Sequence, residues 1–187
     1  MLILASSSQT RANILKNNNI EFIQKETDFD EDSVQISNPI QFVYKIAQGK
    51  KTSYLQKYKD DLPFLVADTV VVVDNAILQK AKDKNDARVM LELQSNHEVK
   101  ILTCMIYKST FFEFTDISQT KYVFDKFKQS ELEKYLESNE WIGKAGACMV
   151  EGFCKPYIKN VVGLQSTAMG LSIEKLIPFL DIFKNKE

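Results

Sequence analysis

Leu2-Ile3-Leu4-Ala5-Ser6-Ser7-Ser8-Gln9-Thr10-Arg11 is the stretch on which the reading of this 187-residue chain turns. The apolar run Leu2 to Ala5 predicts a buried strand, the serines predict a turn, and Gln9 to Asn17 predicts a helix. Arg11 then falls in the first helical turn, where free backbone N–H groups and the helix dipole already place partial positive charge. A cation there is unfavourable unless an anion joins it, so strand, serine turn, helix start and arginine together describe a phosphate site. Of the 24 lysines and arginines only Arg11 and Arg88 are arginine. A chain so biased toward lysine keeps arginine where a planar, permanently charged fork is needed. The alternative is a Ser8 N-cap followed by a solvated arginine, and this segment alone does not separate the two.

The length suits one domain of generous size or two small lobes sharing a core. A hydrophobic content of 44% and a charged content of 26% are those of an ordinary globular chain, so no long disordered region is expected. The formal net charge of -1 and the lack of an arginine cluster exclude a nucleic-acid binder that works by broad charge neutralisation. Any polyanion contacted is therefore small. Met1-Leu2-Ile3-Leu4 carries no basic leader, and no apolar run approaches the roughly 20 residues of a membrane span, so no signal peptide and no membrane segment are expected. Cys104, Cys148 and Cys154 lack the paired spacing of a zinc site, which points to a reduced, cytoplasmic protein. His97 is the sole histidine, which excludes a His-x-x-x-His metal motif, and a structural or surface role is expected for it. Catalysis must then rest on carboxylates, lysines and a metal.

Further along, Asn17-Asn18-Asn19 ends the first helix and Glu21 to Glu26 predicts a short strand. An acidic loop, Asp28-Phe29-Asp30-Glu31-Asp32, leads to Ser37-Asn38-Pro39, which starts a helix running to about Tyr58. Its apolar stripe contains Ile40, Val43, Ala47, Tyr54 and Tyr58, and Lys50 falls on the same stripe. A lysine on a buried face needs a partner. Leu62 to Leu78 predicts two strands with a hairpin turn at Asp74-Asn75, and Asp68 interrupts the apolar run in its middle. A carboxylate there is costly to bury without a metal or a hydrogen-bonding partner. Asp83 to Leu93 predicts a helix, followed by strands over Glu98 to Tyr107, Phe111 to Thr115 and Ile117 to Phe124. Ser130-Glu131-Leu132-Glu133 predicts a capping box that opens a helix to about Ser138. Gly143-Lys144-Ala145-Gly146-Ala147 is a small-residue loop that would let backbone N–H groups approach an anion. Strands near Cys148 to Glu151 and Ile158 to Val162, and a helix from about Ser172 to Phe183, complete the pattern, with no boundary between domains along residues 1–187.

Taken in order, these pieces resemble the Maf family of nucleoside triphosphate pyrophosphatases, also described as septum formation inhibitor-like proteins. The matching segments are Leu4-Ala5-Ser6-x-Ser8-x-x-Arg11-x-x-x-Leu15, Asp28-x-Asp30-Glu31, Ile46-Ala47-x-x-Lys50 and Ala67-Asp68-Thr69-Val70-Val71-Val72. They continue with Ile77-Leu78-x-Lys80, Lys144-Ala145-Gly146-Ala147 and Asn160-Val161-Val162-Gly163-Leu164, so the resemblance covers nearly the whole chain. It implies an α/β fold, a central mixed β-sheet flanked by helices with a cleft between two lobes, as in the related inosine triphosphatases (Maf/Ham1-like). It also implies hydrolysis of a nucleoside triphosphate to the monophosphate and pyrophosphate, and makes a homodimer plausible.

In that reaction water attacks the α-phosphorus, which needs a divalent cation, a carboxylate to place the metal or accept a proton, and cations on the leaving pyrophosphate. Asp68 is the expected general base or metal-organising residue and Glu31 a second metal carboxylate; Mg2+ or Mn2+ suits such an oxygen-only site. Arg11, Lys50, Lys80 and Lys144 are expected phosphate ligands, with Ser6 and Ser8 hydrogen-bonding phosphate oxygens. Each keeps a structural alternative: Asp68 and Lys50 as a buried ion pair, Lys80 as a solvated hairpin lysine, Lys144 as the flank of a tight turn.

Several positions depart from the usual pattern of the family. Gln9 and Thr10 stand where proline and a first arginine are common, Gln79 and Ala81 replace glycine and proline around Lys80, Gly143 replaces an acidic residue, Glu151 a glutamine and Gln165 a proline. Glu151 matters most if it touches substrate, since a carboxylate repels phosphate and cannot donate as an amide does. Thr69 after Asp68 resembles the branch acting on dTTP and UTP, which favours a pyrimidine substrate. Two other readings share the same ligands: a nucleotide-binding regulator of cell division with little turnover, and a phosphatase that releases orthophosphate.

Overall fold

The computed structural model describes residues 1–59 and 61–184. The opening segment folds as its pattern predicts, into β1 (Leu2–Ala5), a serine turn and α1 (Gln9–Asn17), with Ser8 capping the helix by accepting from the Arg11 N–H. All of β1 is buried because the strand lies between two layers, Ile3 and Ala5 on one side and Leu2 and Leu4 on the other. β2 (Phe22–Lys25) pairs parallel to it. After the acidic loop, which holds a single 3-10 turn at Glu31–Ser33, α2 (Pro39–Lys57) begins with Asn38 accepting from the N–H groups of Ile40 and Gln41. Its buried face is Phe42, Val43, Ile46, Ala47, Lys50 and Tyr54. Ile40, expected on that face, is 54% exposed, because the layer beneath the helix begins one step later, at Phe42 and Val43.

β3 (Phe64–Val73) turns through Asp74 and Asn75, both with positive φ, into β4 (Ala76–Leu78). Asp68 does not interrupt this strand: the ladder runs through it, with Asp68 opposite Cys104 on β5 (Glu98–Lys108). Lys50 meets the Asp68 carboxylate from α2. α3 (Lys84–Gln94) is capped by Asp83. β6 (Glu113–Phe124) is one strand where two were expected, since Asp116 pairs in register with Met105 and its carboxylate is met by Lys175. α4 (Gln129–Ser138) does not form the expected capping box. Ser130 already lies inside the helix, and the chain is anchored by buried Phe127, whose N–H donates to Ser95 Oγ.

Cys148 to Glu151 forms turns and not a strand, because β7 (Ile158–Val162) takes the free edge of β6 and leaves that segment no partner. Two helices, α5 (Gln165–Ala168) and α6 (Ile173–Lys184), close the described chain. The seven strands form one mixed sheet in the order β2-β1-β3-β5-β6-β7, with β4 beside β3; β1 is parallel to both its neighbours and the other pairs are antiparallel.

Alternation along β3 positions the site. Val66, Val70 and Val72 face α2, so Asp68, of the same parity, faces α2 as well. Leu65 and Ala67 face the layer of α1 and α6, and Val71 and Val73 face that of α3 and α4, so Thr69 points to the opposite side from Asp68. Among the described residues no helix is long and apolar enough to cross a membrane.

Candidate active site

A cleft of about 450 Å³ opens where β1 ends, and every residue expected at the site lines it: Ser6, Ser8, Arg11, Glu31, Lys50, Asp68, Thr69, Lys80 and Lys144. Its size lies in the range of small-molecule sites. The serine turn and Arg11 form one end. Ser6 Oγ accepts from the Ser8 N–H at 3.2 Å and from Arg11 Nη1 at 3.0 Å. Arg11 Nε donates to the Gly170 carbonyl at 2.8 Å and Nη2 to Thr69 Oγ1 at 3.1 Å. The arginine is thus buried and tethered at three nitrogens, not a solvated side chain beyond an N-cap. Burial lowers its pKa, with Asp68 and Glu31 opposing that loss of charge.

Lys50 is the centre of the charged group. Its Nζ lies 2.6 Å from Asp68 Oδ1 and 2.9 Å from Glu31 Oε1, while Lys80 Nζ lies 3.2 Å from the same Glu31 oxygen. Two carboxylates and two ammonium groups therefore alternate and compensate one another. Burial pushes the Glu31 carboxyl up, but Lys50 and Lys80 outweigh it and hold the group below its ordinary value. The Lys80 side chain is exposed apart from its pair with Glu31, while its backbone bridges to Ala145 and joins the hairpin to the small-residue loop. In that loop Lys144 Nζ stands 3.9 Å from Glu151 Oε1, and both line the cleft.

The carboxylates of Asp68 and Glu31 already converge on one cationic position, that of Lys50 Nζ. Among the described residues no group of three or more His, Cys, Asp or Glu could hold a metal ion. An oxygen-only pair of this kind suits an ion that keeps several waters and takes its remaining ligands from substrate phosphates, which is the habit of Mg2+. His97 is exposed, bonds the Ser95 carbonyl through Nδ1 and does not line the cleft.

Pattern reading missed three contributors. Gly170 tethers Arg11 from 159 residues away. Thr103 continues the Arg11–Thr69 chain, with its Oγ1 2.8 Å from Thr69 Oγ1 and donating to the Thr167 carbonyl at 2.7 Å. Neither leaves a local signal, because both partnerships are made by distant backbone. Phe29 also lines the cleft, and a lone aromatic among four acidic residues was the signal that could have marked it.

The Maf-like protein family matches residues 1–183. A nucleoside triphosphate pyrophosphatase of a Nitratiruptor species is 50% identical over 178 residues, covering 94% of this chain and 96% of that protein. One of Helicobacter pylori is 40% identical over 181 residues, covering 97% and 95%. The structure of the Staphylococcus aureus Ham1 protein superposes with a TM-score of 0.56 at 12% identity, covering 96% of this chain and 97% of that one, which supports the expected fold alone. With six of the seven ordered motifs contributing residues to one cleft and the match spanning nearly the full length, the chain belongs to the Maf family.

Proposed function

We propose that this protein hydrolyses nucleoside triphosphates to the monophosphate and pyrophosphate, in a reaction that requires a divalent metal ion. The observation that carries the reading is the convergence of Asp68 and Glu31 on Lys50 inside a cleft edged by Arg11, Lys80 and Lys144. A site that only bound triphosphate would need the cations and not the paired carboxylates. Similarity to proteins named nucleoside triphosphate pyrophosphatase over nearly the whole chain supports the same activity.

Asp68 is held rigidly by its strand and by Lys50, and accepts the proton of the attacking water. Asp68 and Glu31 would hold Mg2+ or Mn2+, which would supply positive charge to offset that of the phosphates. Lys50 and Lys80, which compensate the carboxylates in the free protein, are placed to turn to the leaving pyrophosphate, and Ser6 and Ser8 orient its oxygens.

We further propose a preference for dTTP and UTP. Thr103 spends its only hydroxyl hydrogen on the Thr167 carbonyl, so Thr69 must donate to Thr103 and offers the cleft an acceptor alone. The N3–H of thymine or uracil can meet that acceptor, but N–H groups of the other bases can too, so the preference rests on the Asp68-Thr69 pair, which resembles the branch of the family acting on dTTP and UTP. Lys144 near Glu151 offsets the repulsion that this carboxylate would otherwise exert on substrate.

Product analysis tests both levels, with dTTP, UTP, CTP and the purine triphosphates, Mg2+ or Mn2+, and Asp68→Asn alongside. Monophosphate and pyrophosphate are expected, with the rate for Asp68→Asn lower by about 10²- to 10⁴-fold. Orthophosphate as the first product, or full activity in Asp68→Asn, overturns the reading.

A further inference from the structure

The acidic loop that carries Glu31 lies along α2 and, apart from the pair that Glu31 makes with Lys50, is held to it at its start by exposed contacts and by one ring. The Asp28 N–H donates to Ser53 Oγ at 3.1 Å, and Asp28 Oδ2 pairs with Lys57 Nζ at 2.6 Å; these are exposed interactions of the kind that stabilise little. A second groove, of about 430 Å³, separates much of the loop from the helix. The exception is Phe29, whose ring lines both the groove and the cleft and packs into the α2 layer. It lies directly on Gly49: a Cβ at that position would stand 2.2 Å from ring atoms Cε2 and Cζ. Gly49 is not among the glycines with positive φ, so the backbone does not require glycine there. Glycine in a helix interior is disfavoured relative to alanine, and here only the space explains it.

We propose that Phe29 seated on Gly49 is a latch that positions Glu31, making both of them positioning residues for the reaction. Glu31 follows Phe29 by two residues and Lys50 follows Gly49 by one, so seating the ring sets the distance between the Glu31 carboxylate and the ammonium group it shares with Asp68. The proposal rests on the role given to Glu31 above, and its test separates the two.

The test compares Gly49→Ala, Phe29→Ala, Glu31→Ala and the Gly49→Ala double variants with each of the other two. Amide hydrogen exchange over residues 27–33, nucleotide turnover and Tm are measured for each. Gly49→Ala is expected to raise exchange in the loop at least about ten-fold and to lower turnover on the order of 10- to 100-fold through misplacement of Glu31. Its Tm is expected to change little, because the better helix propensity of alanine offsets the lost packing of the Phe29 ring. Adding Gly49→Ala to Phe29→Ala or to Glu31→Ala is expected to change turnover no further. Unchanged exchange in Gly49→Ala overturns the latch. Raised exchange with full turnover in Gly49→Ala, while Glu31→Ala is impaired, overturns its positioning role. Full turnover in Glu31→Ala overturns the role of Glu31 itself, which the exchange data reach independently.

Discussion

Arg11 Nη2, Thr69 Oγ1, Thr103 Oγ1 and the Thr167 carbonyl form a hydrogen-bonded chain in which every donor has one direction open to it. The two arginines of the sequence use their forks in the same manner, on fixed partners: Arg11 on a hydroxyl pair and a carbonyl, Arg88 on both oxygens of Glu133. The sequence singled out Arg11, while its three tethers became visible only in the fold. Thr69→Val keeps the shape and removes the link, leaving Arg11 and Thr103 each short of a partner, and is expected to cost about 1–3 kcal/mol of stability together with a raised KM. Thr69→Ser is expected to restore both, as read by denaturant unfolding and by KM for dTTP and UTP. A valine variant of unchanged stability, altered only in its choice of base, would show that Thr69 acts as a base ligand and not through Arg11.

At the scale of elements, β3 was legible as a strand and Asp68 as its anomaly, and the strand runs unbroken through it. A polar residue in an apolar run carries no information on whether the backbone yields or a partner arrives, and here Lys50 arrives from α2. The loop Gly143 to Ala147 was likewise legible as small-residue chain, but its function in the fold is to clasp the β4 hairpin. The Gly146 N–H donates to the Gln79 carbonyl and its own carbonyl accepts from Gln94 Nε2, both at 2.7 Å. Gly146 has φ +59, and a Cβ there would stand 2.9 Å from Val71 Cβ, so both conformation and space require glycine. Gly146→Ala is expected to cost about 2 kcal/mol and to move Lys144 away from the cleft. Thermal unfolding and the KM for triphosphate measure the two effects, and a variant of normal stability would show that the loop shifts freely.

Across the whole molecule, one sheet runs through every core cluster, and β3 and β5 contribute to all of them. The chain is accordingly expected to unfold in one cooperative transition, with far-UV circular dichroism and tryptophan fluorescence from Trp141 coincident in denaturant. Two separated transitions would divide the molecule into independent lobes. A non-hydrolysable triphosphate analogue with Mg2+ at about 100 times Kd should add about 2.7 kcal/mol to that single transition. The sequence by itself determined most of the local elements, because the periods of apolar residues, the caps at Ser8, Asn38 and Asp83, and the Asp74-Asn75 turn act over a few residues, whereas the single β6 and the turns at Cys148 to Glu151 depend on which strand edges are taken. It also determined the candidate residues, since a lysine on an apolar stripe and a carboxylate in a strand are anomalies at any distance. Only the tertiary structure decided that Lys50 lies between Asp68 and Glu31, that Thr69 turns away to Arg11, and that Phe29 rests on Gly49. Those arrangements depend on strand parity and on packing between distant segments, which no local pattern encodes.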